Sequence, residues 1–148
     1  MADAATSFIV GGPADPEDQR LIDSTMRALA AGIDAAGPGG HIGDNAAAVG
    51  AILTAAGYPV NGEFGGHGVG RTMHQDPHIP NQGVPGRGCL LRPGMLLTIE
   101  PWVMRGTDRL VRDPDGWTLR SANGARTAHT DHTTAITPDG AEILTLGE

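Results

Sequence analysis

Helical periodicity is confined to the part of the chain before Gly57, and glycine and proline divide the remainder into short extended runs. Asp15 and Pro16 predict the start of a first helix, because aspartate caps free amide groups and proline suits the first helical turn. A second helix is predicted over residues 43–56 and ends at Gly57. Apolar residues recur at helical spacing in the first helix: Leu21, Ile22, Met26, Leu29 and Ile33. Two successive helices followed by short extended runs indicate an α+β fold.

The part of the chain after Gly57 is typical of short antiparallel strands. Residues 102–104 are predicted to pair with residues 117–119 across a turn at Asp115 and Gly116, and Asn123-Gly124 is a hairpin signal. The other predicted strands cover residues 58–60, 96–99, 130–137 and 142–146, with a proline-rich loop extending to residue 85. We therefore expect one domain, residues 1–148, with an antiparallel sheet and two helices on one of its faces.

Charge and cysteine content limit the partners and the compartment of this protein. The formal net charge is −7 and the ten basic residues are scattered, which argues against a nucleic-acid or anionic membrane partner. The single cysteine cannot form an internal disulfide, and no charged-then-apolar leader opens the chain, so a cytoplasmic location is expected. No apolar run approaches the roughly 18 residues that a membrane span requires.

Three residues at the edges of extended apolar segments could together hold a metal ion. His67 lies in a glycine-rich run, Glu100 follows the predicted strand at 96–99, and Asp131 lies in the predicted strand at 130–137. Taken singly, each residue is more often a loop or solvated side chain than a ligand. An imidazole and two carboxylates held between strands are nevertheless the donors that a divalent metal requires.

Several short runs follow one another along the chain: Gly66-His67-Gly68-Val69-Gly70-Arg71, His74, Pro93-Gly94-Met95, Thr98-Ile99-Glu100-Pro101, Asp115-Gly116-Trp117, Asp131-His132-Thr133 and Glu142-Ile143-Leu144-Thr145. In these runs and their order the chain resembles the type I methionine aminopeptidases of the pita-bread metallopeptidase family, over residues 3–146. The resemblance implies a pita-bread (creatinase/aminopeptidase-like) fold. This chain would supply its C-terminal half and the two helices of an incomplete N-terminal half, truncated at the N-terminus.

The resemblance also implies a set of metal ligands. Asp3, His67, Glu100 and Asp131 match four of the five protein ligands of the family, and the fifth, an aspartate, would lie before residue 1. We therefore expect one well-bound divalent ion rather than two. An imidazole with three carboxylates suits Co, Mn, Fe(II) or Zn.

Catalytic and substrate-binding roles follow from the same resemblance. Glu100 would act as the proton shuttle, and His74 would donate a hydrogen bond to the substrate or intermediate. His67, His74, Met73 and Trp117 match positions that line the substrate site, although Met73 and Trp117 could equally be core residues.

Asp131 departs from the family, which has glutamate at the corresponding position. Aspartate is shorter by one carbon–carbon bond, about 1.5 Å, whereas metal–ligand distances tolerate only about 0.2 Å. His129 would point to the same face of a strand as Asp131. We hypothesise that His129 compensates as an extra ligand or as a hydrogen-bond donor to a ligand; the alternative is a solvent-facing histidine.

Two functions of different class remain open at this point. The first is a metal-dependent aminopeptidase that removes N-terminal methionine from peptides or nascent proteins, with activity impaired by the absent aspartate and by Asp131. The second is an inactive family member that binds a peptide or pairs with another chain. An incomplete first half would leave apolar surface uncovered, and a homodimer or a complementing chain would cover it.

Overall fold

The computed structural model describes residues 1–11 and 15–146 and confirms an α+β fold with antiparallel strands. The two helices are α1 (Pro16–Asp34) and α2 (Ile42–Ala55). The strands are β1 (Ala4–Ala5), β2 (Gly66–Gly68), β3 (Gln75–Ile79), β4 (Leu96–Ile99), β5 (Trp102–Met104), β6 (Leu110–Arg112), β7 (Leu119–Ser121), β8 (Thr127–His129), β9 (Asp131–Thr137) and β10 (Gly140–Ile143).

The main sheet has six strands, in the order β1-β9-β4-β2-β3, with β10 also paired to β9. All of these pairs are antiparallel. In the centre, β4 runs beside β9 with Thr98 opposite Thr133, and it meets β2 where Leu97 faces Gly68. The sheet therefore places β4 between β2 and β9, the three strands next to which the predicted metal ligands lie.

Both predicted helices are present. Asp15 caps α1, because its side chain accepts a hydrogen bond of 3.0 Å from the backbone amide of Glu17. The two helices pack closely at Gly32, where a side-chain carbon would lie 2.6 Å from a methyl carbon of Val49. Within the part of the chain that the structure describes, neither helix is both long enough and apolar enough to cross a membrane.

The core lies between these helices and the sheet. Burial of apolar side chains from both layers is the main favourable contribution to folding. Its members include Leu21, Leu29, Ile33, Val49, Leu53, Leu97, Ile99 and Ile136.

The predicted partner of β5 is wrong. Trp102–Met104 pairs with β8, and the hairpin around Asp115 and Gly116 instead joins β6 to β7. The reason is burial: Val103 and Ala128 of the β5–β8 pair lie in the core, whereas Trp117 at the hairpin tip is 86% exposed. Asn123-Gly124 forms a turn between β7 and β8, which are not partners in the structure.

The strand predictions also need three corrections. The strand predicted at residues 142–146 is β10, which covers Gly140–Ile143. The predicted loop up to residue 85 contains β3, which pairs with β2 at the edge of the sheet. The predicted strand at residues 58–60 is reduced to a single bridge between Val60 and Val103. Local composition decides neither β3 nor this bridge, because a short segment forms a strand only where a partner segment lies beside it.

Candidate metal centre

The ends of three neighbouring strands bring most of the predicted ligands together. His67 lies in β2, Glu100 directly follows β4, and Asp131 begins β9. Among residues 1–11 and 15–146, two groups of three side chains each have possible metal-binding atoms that lie within 4.8 Å of one another. The first group is Asp3, His67 and His74; the second is Glu100, His129 and Asp131.

The first group is organised around the imidazole of His67. Its Nε2 atom lies 3.7 Å from Asp3 Oδ2, and its ring centroid lies 4.3 Å from that of His74. Asp3 is held by its backbone, whose amide donates to Thr133 Oγ1 over 2.7 Å and whose carbonyl accepts from the amide of Thr133. The terminal segment next to β1 is therefore anchored to β9.

The second group is more deeply buried. Asp131 is only 2% exposed, and its Oδ2 atom lies 3.0 Å from His129 Nε2. The same nitrogen lies 4.0 Å from Glu100 Oε2. Two carboxylates and one imidazole thus lie close together, with both carboxylates buried and the His129 side chain 26% exposed.

Glu100 connects the two groups. Its Oε1 atom lies 3.1 Å from His67 Nε2 and accepts a 2.5 Å hydrogen bond from the Thr98 hydroxyl. Its Oε2 atom accepts a long hydrogen bond of 3.5 Å from Trp102 Nε1. Each carboxylate oxygen of Glu100 therefore faces a different histidine.

The two histidines present their rings in the same way. Nδ1 of His67 lies 3.0 Å from the carbonyl oxygen of Gly68, and Nδ1 of His129 lies 3.2 Å from that of Pro101. A carbonyl oxygen can only accept, so in both rings Nδ1 carries the hydrogen. In the neutral ring Nε2 is then left without a hydrogen, and it faces carboxylates. Most metal-binding histidines likewise donate one ring N–H to a protein acceptor, which leaves the other nitrogen for the metal.

These donors fit a divalent ion. Nitrogen and oxygen ligands bound at about 2.0–2.2 Å to one ion lie about 3–3.5 Å apart, close to the His67–Glu100 and His129–Asp131 separations. Asp131 Oδ1 is buried and has no hydrogen-bond partner among residues 1–11 and 15–146, so an acceptor is left unsatisfied. This unpaired carboxylate oxygen could bind a cation directly as a ligand.

The charge of the second group acts on His129. Burial lowers the pKa of its ring, but the hydrogen bonds to Asp131 and Pro101 and the nearby carboxylate charges outweigh that effect. The pKa therefore lies above its ordinary value. Carboxylates surround this ring closely enough to favour a cation there.

Two predicted substrate-site residues, Met73 and Trp117, are members of neither group of metal donors. Met73 is exposed near His74, and Trp117 is at the tip of the β6–β7 hairpin. Sequence reasoning also missed Thr98 and Trp102 as neighbours of Glu100. Their spacing carried a usable signal, because residues two apart along an extended segment point to the same face.

Thr98 positions both Glu100 and His67. Its hydroxyl donates to Glu100 Oε1, and its oxygen accepts a 3.0 Å hydrogen bond from the His67 amide. We expect Thr98→Val to weaken Co(II) or Mn(II) binding by about 10-fold or more, the cost of losing a group that orients a metal ligand. Isothermal calorimetry measures the change.

Thr134→Val is the matched control for this prediction. Thr134 is equally buried, but its hydroxyl has no hydrogen-bond partner among the described residues. Its replacement should leave metal affinity unchanged and should not lower stability. Equal metal affinity in the two variants would contradict the orienting role of Thr98.

Comparisons with known proteins agree with this geometry. The model of metallopeptidase family M24 matches residues 1–138. The chain is 44% identical to methionine aminopeptidase A of Synechocystis over 146 residues, which is 99% of this chain and 57% of that protein. It is also 44% identical to methionine aminopeptidase 1 of Mycobacterium tuberculosis, covering 98% of this chain and 56% of the relative.

Solved structures show the same likeness. The crystal structure of methionine aminopeptidase from Thermotoga maritima superposes with a TM-score of 0.95 at 43% identity, covering 99% of this chain and 58% of that one. Prolidase from Pyrococcus furiosus, at 24% identity and a TM-score of 0.74, shares the fold. The predicted pita-bread architecture is confirmed, and the chain spans somewhat more than half the length of the relatives it matches.

Proposed function

Because this chain belongs to metallopeptidase family M24, we propose that it is a metal-dependent aminopeptidase that removes methionine from the N-terminus of peptides or nascent proteins. The resemblance to methionine aminopeptidases predicted from the sequence is confirmed by the relatives from Synechocystis and Mycobacterium tuberculosis, which carry that name. Activity, substrate and partners are proposed by analogy, since the match covers little more than half of each relative. A cytoplasmic location is part of the same proposal, because nascent chains are made there.

The observation that carries this proposal is the convergence of His67 and Glu100. Their donor atoms lie 3.1 Å apart, and Asp3 approaches the same imidazole nitrogen. A divalent ion bound here would lower the pKa of a water molecule and polarise the carbonyl of the first peptide bond. We propose one such ion, with Co, Mn, Fe(II) and Zn all compatible with these donors.

We propose the following roles for the residues of this chain. Asp3, His67, Glu100 and Asp131 would serve as ligands. Glu100 would also accept the proton of the attacking water, because its Oε1 atom is oriented by the Thr98 hydroxyl. His74 lies beside His67, with one face exposed, and would donate a hydrogen bond to the substrate carbonyl or to the oxyanion that develops from it.

The substrate side chain would lie on the exposed side of this cluster. Met73 adjoins His74 and offers an adaptable apolar contact for a methionine side chain. We retain Trp117 as a candidate wall of the site. Its exposure means that it would contribute only when a substrate or another segment covers it.

Peptide cleavage tests the proposal directly. The purified chain, loaded with Co(II) or Mn(II), should release free methionine from the peptide Met-Ala-Ser, and a chelator should abolish the release. His74→Ala should lower kcat by about 100-fold or more, the cost of losing one oxyanion donor, while metal affinity stays within about twofold.

His78→Ala is the control for this experiment. His78 is exposed, lies opposite His67 across the β2–β3 pair and belongs to neither group of metal donors. It should retain full turnover. No methionine release by the metal-loaded chain, with metal binding intact, would overturn the proposed activity.

A second candidate function is favoured by exposed apolar side chains near the N-terminus. Phe8 is 75% exposed and Val10 is 86% exposed. Such side chains are expected at a site of contact with another chain. The chain would then act as a peptide-binding or chain-pairing module, as a homodimer or with a complementing chain.

Sedimentation velocity separates this candidate from the enzyme. A concentration-dependent dimer that is lost in the double variant Phe8→Ser, Val10→Ser, together with no methionine release, would support the module. A monomer that releases methionine supports the aminopeptidase.

A further inference from the structure

We propose that His129 is a metal ligand of this chain, binding a divalent ion through Nε2 together with the carboxylates of Glu100 and Asp131. The sequence leaves open whether this histidine binds metal, orients a ligand or faces solvent. Its ring meets both carboxylates, at 3.0 Å from Asp131 and 4.0 Å from Glu100, which excludes a solvent-facing role. The inference rests on the proposed metal dependence and extends it to a donor outside the four matched ligands.

The orientation of the ring is the first argument. Because Nδ1 donates to the carbonyl of Pro101, Nε2 is the atom that faces the carboxylates. Carboxylate oxygens only accept, so this contact is favourable only when Nε2 carries a proton or when a cation is coordinated by Nε2 and these oxygens together. His67 has the same arrangement, with Nδ1 on the Gly68 carbonyl and Nε2 towards carboxylates.

The rigidity of the position is the second argument. The His129 backbone pairs with Trp102 across β5 and β8, and its amide and carbonyl both bond to the Ser7 hydroxyl. The Trp102 ring packs on the His129 ring with centroids 4.3 Å apart. A ligand whose rotamer is already restrained loses little conformational freedom on binding.

The short side chain of Asp131 also favours ligation by His129. The Asp131 side chain is short by about 1.5 Å relative to a glutamate, and its Oδ1 atom is buried without a partner among the described residues. The His129 imidazole, 3.0 Å from Asp131 Oδ2, supplies a further metal-binding atom beside this shorter carboxylate. His129 thus offers a physical compensation for the shorter carboxylate.

The His129 imidazole should affect which divalent metal this chain binds most tightly. Imidazole binds Zn and Co well, whereas oxygen-only sites suit Mn and Mg. An additional imidazole in the second group therefore favours Zn(II) and Co(II) over Mn(II). This consequence can be measured without any substrate.

The decisive experiment follows the ring nitrogens of the six histidines. The chain is labelled with ¹⁵N, stripped of metal and titrated with Zn(II), while long-range ¹H–¹⁵N correlation spectra are recorded. We expect Nε2 of both His67 and His129 to shift to values of metal-coordinated nitrogen, and Nδ1 of both rings to keep its hydrogen.

The possible outcomes are distinct. If Nε2 of His67 becomes coordinated while Nε2 of His129 keeps a proton at saturation, His129 only hydrogen-bonds Asp131 and this proposal is overturned, but the proposed function is untouched. If neither ring responds to Zn(II), both this proposal and the proposed metal dependence fail.

Substitution provides an independent measurement. Glutamine can still donate a hydrogen bond to Asp131, so His129→Gln would leave affinity unchanged if hydrogen bonding were the only role. We expect His129→Gln to weaken Zn(II) and Co(II) binding by about 100-fold, and Mn(II) binding by less. His132→Gln is the control, because the His132 ring contacts Thr145 rather than a carboxylate, and it should bind metal normally. Equal affinities in the two variants would contradict direct ligation.

Discussion

Glu100→Gln should weaken divalent metal binding by about 100-fold or more and abolish methionine release. The loss of a direct ligand is expected to cost at least as much as the loss of a group that orients one. Glu100 is the residue that joins the two donor groups, with Oε1 near His67 and Oε2 near His129. Glutamine preserves the shape and can still accept from Thr98, so the variant removes charge and one donor oxygen but little packing.

Stability of the metal-free protein gives a second readout for this variant. Glu100 is 7% exposed and lies with Asp131 in one buried cluster, where two carboxylates repel each other. Removing one charge relieves this repulsion but also takes a carboxylate from the two histidine rings that face it, so the melting temperature should change little. Lower affinity with retained stability would therefore identify a ligand rather than a structural residue.

Glu142→Gln is the matched control for Glu100→Gln. Glu142 is exposed in β10 and belongs to neither donor group. Its replacement should change neither metal affinity nor stability. Calorimetric titration with Co(II) and Mn(II) compares the two variants, and normal binding by Glu100→Gln would exclude Glu100 as a ligand.

Gly66→Ala should lower both stability and metal affinity, although the alanine side chain is only one methyl group. A side-chain carbon at residue 66 would overlap the backbone carbonyl of Thr98, because β2 approaches β4 closely there. That carbonyl belongs to a central strand and cannot move aside as a flexible side chain would. Overpacking of this kind costs about 1–3 kcal/mol, and β2 must shift to relieve it.

The shift in β2 would move His67, the next residue along the chain. Its amide would lose the 3.0 Å hydrogen bond to Thr98, and its ring would move relative to Glu100. Because metal–donor distances tolerate only about 0.2 Å, affinity should fall together with the melting temperature. Thermal denaturation with and without metal measures both effects.

Gly62→Ala introduces the same methyl group at a place where it meets nothing within 4 Å. It should change stability by no more than about 0.5 kcal/mol and leave metal binding intact. If Gly66→Ala behaved in the same way, the close approach of β2 to β4 would not be what holds His67 in place.

Much of the fold could be predicted because its signals are local. The Asp15 cap and the apolar stripe that follows it specify α1 within one continuous segment, and Gly57 ends the second helix. The strand at Leu96–Ile99 is likewise framed by turn residues on either side. The edge strand β3 escaped prediction because its proline-rich sequence becomes a strand only by pairing with β2.

The candidate site could be predicted only in part, for a related reason. The ordered runs around His67, Glu100 and Asp131 predict that these three residues are metal ligands and that they lie at the ends of strands. They do not reveal that Trp102 packs on His129 or that Thr98 contacts two site residues at once. The Trp102–His129 and Thr98–His67 contacts join strands that are separated in sequence and meet only in the folded chain.

The sequence by itself determined the helices, the α+β class and the donor types available for a metal, because each depends on the periodicity or chemistry of a short segment. Only the tertiary structure decided that β5 pairs with β8 and that His129 faces both Asp131 and Glu100. An alternating pattern tells which face a strand buries but not which strand lies beside it. Burial across the whole core decides which strand becomes the partner. That pairing in turn decides which metal-binding side chains lie close enough to share one ion.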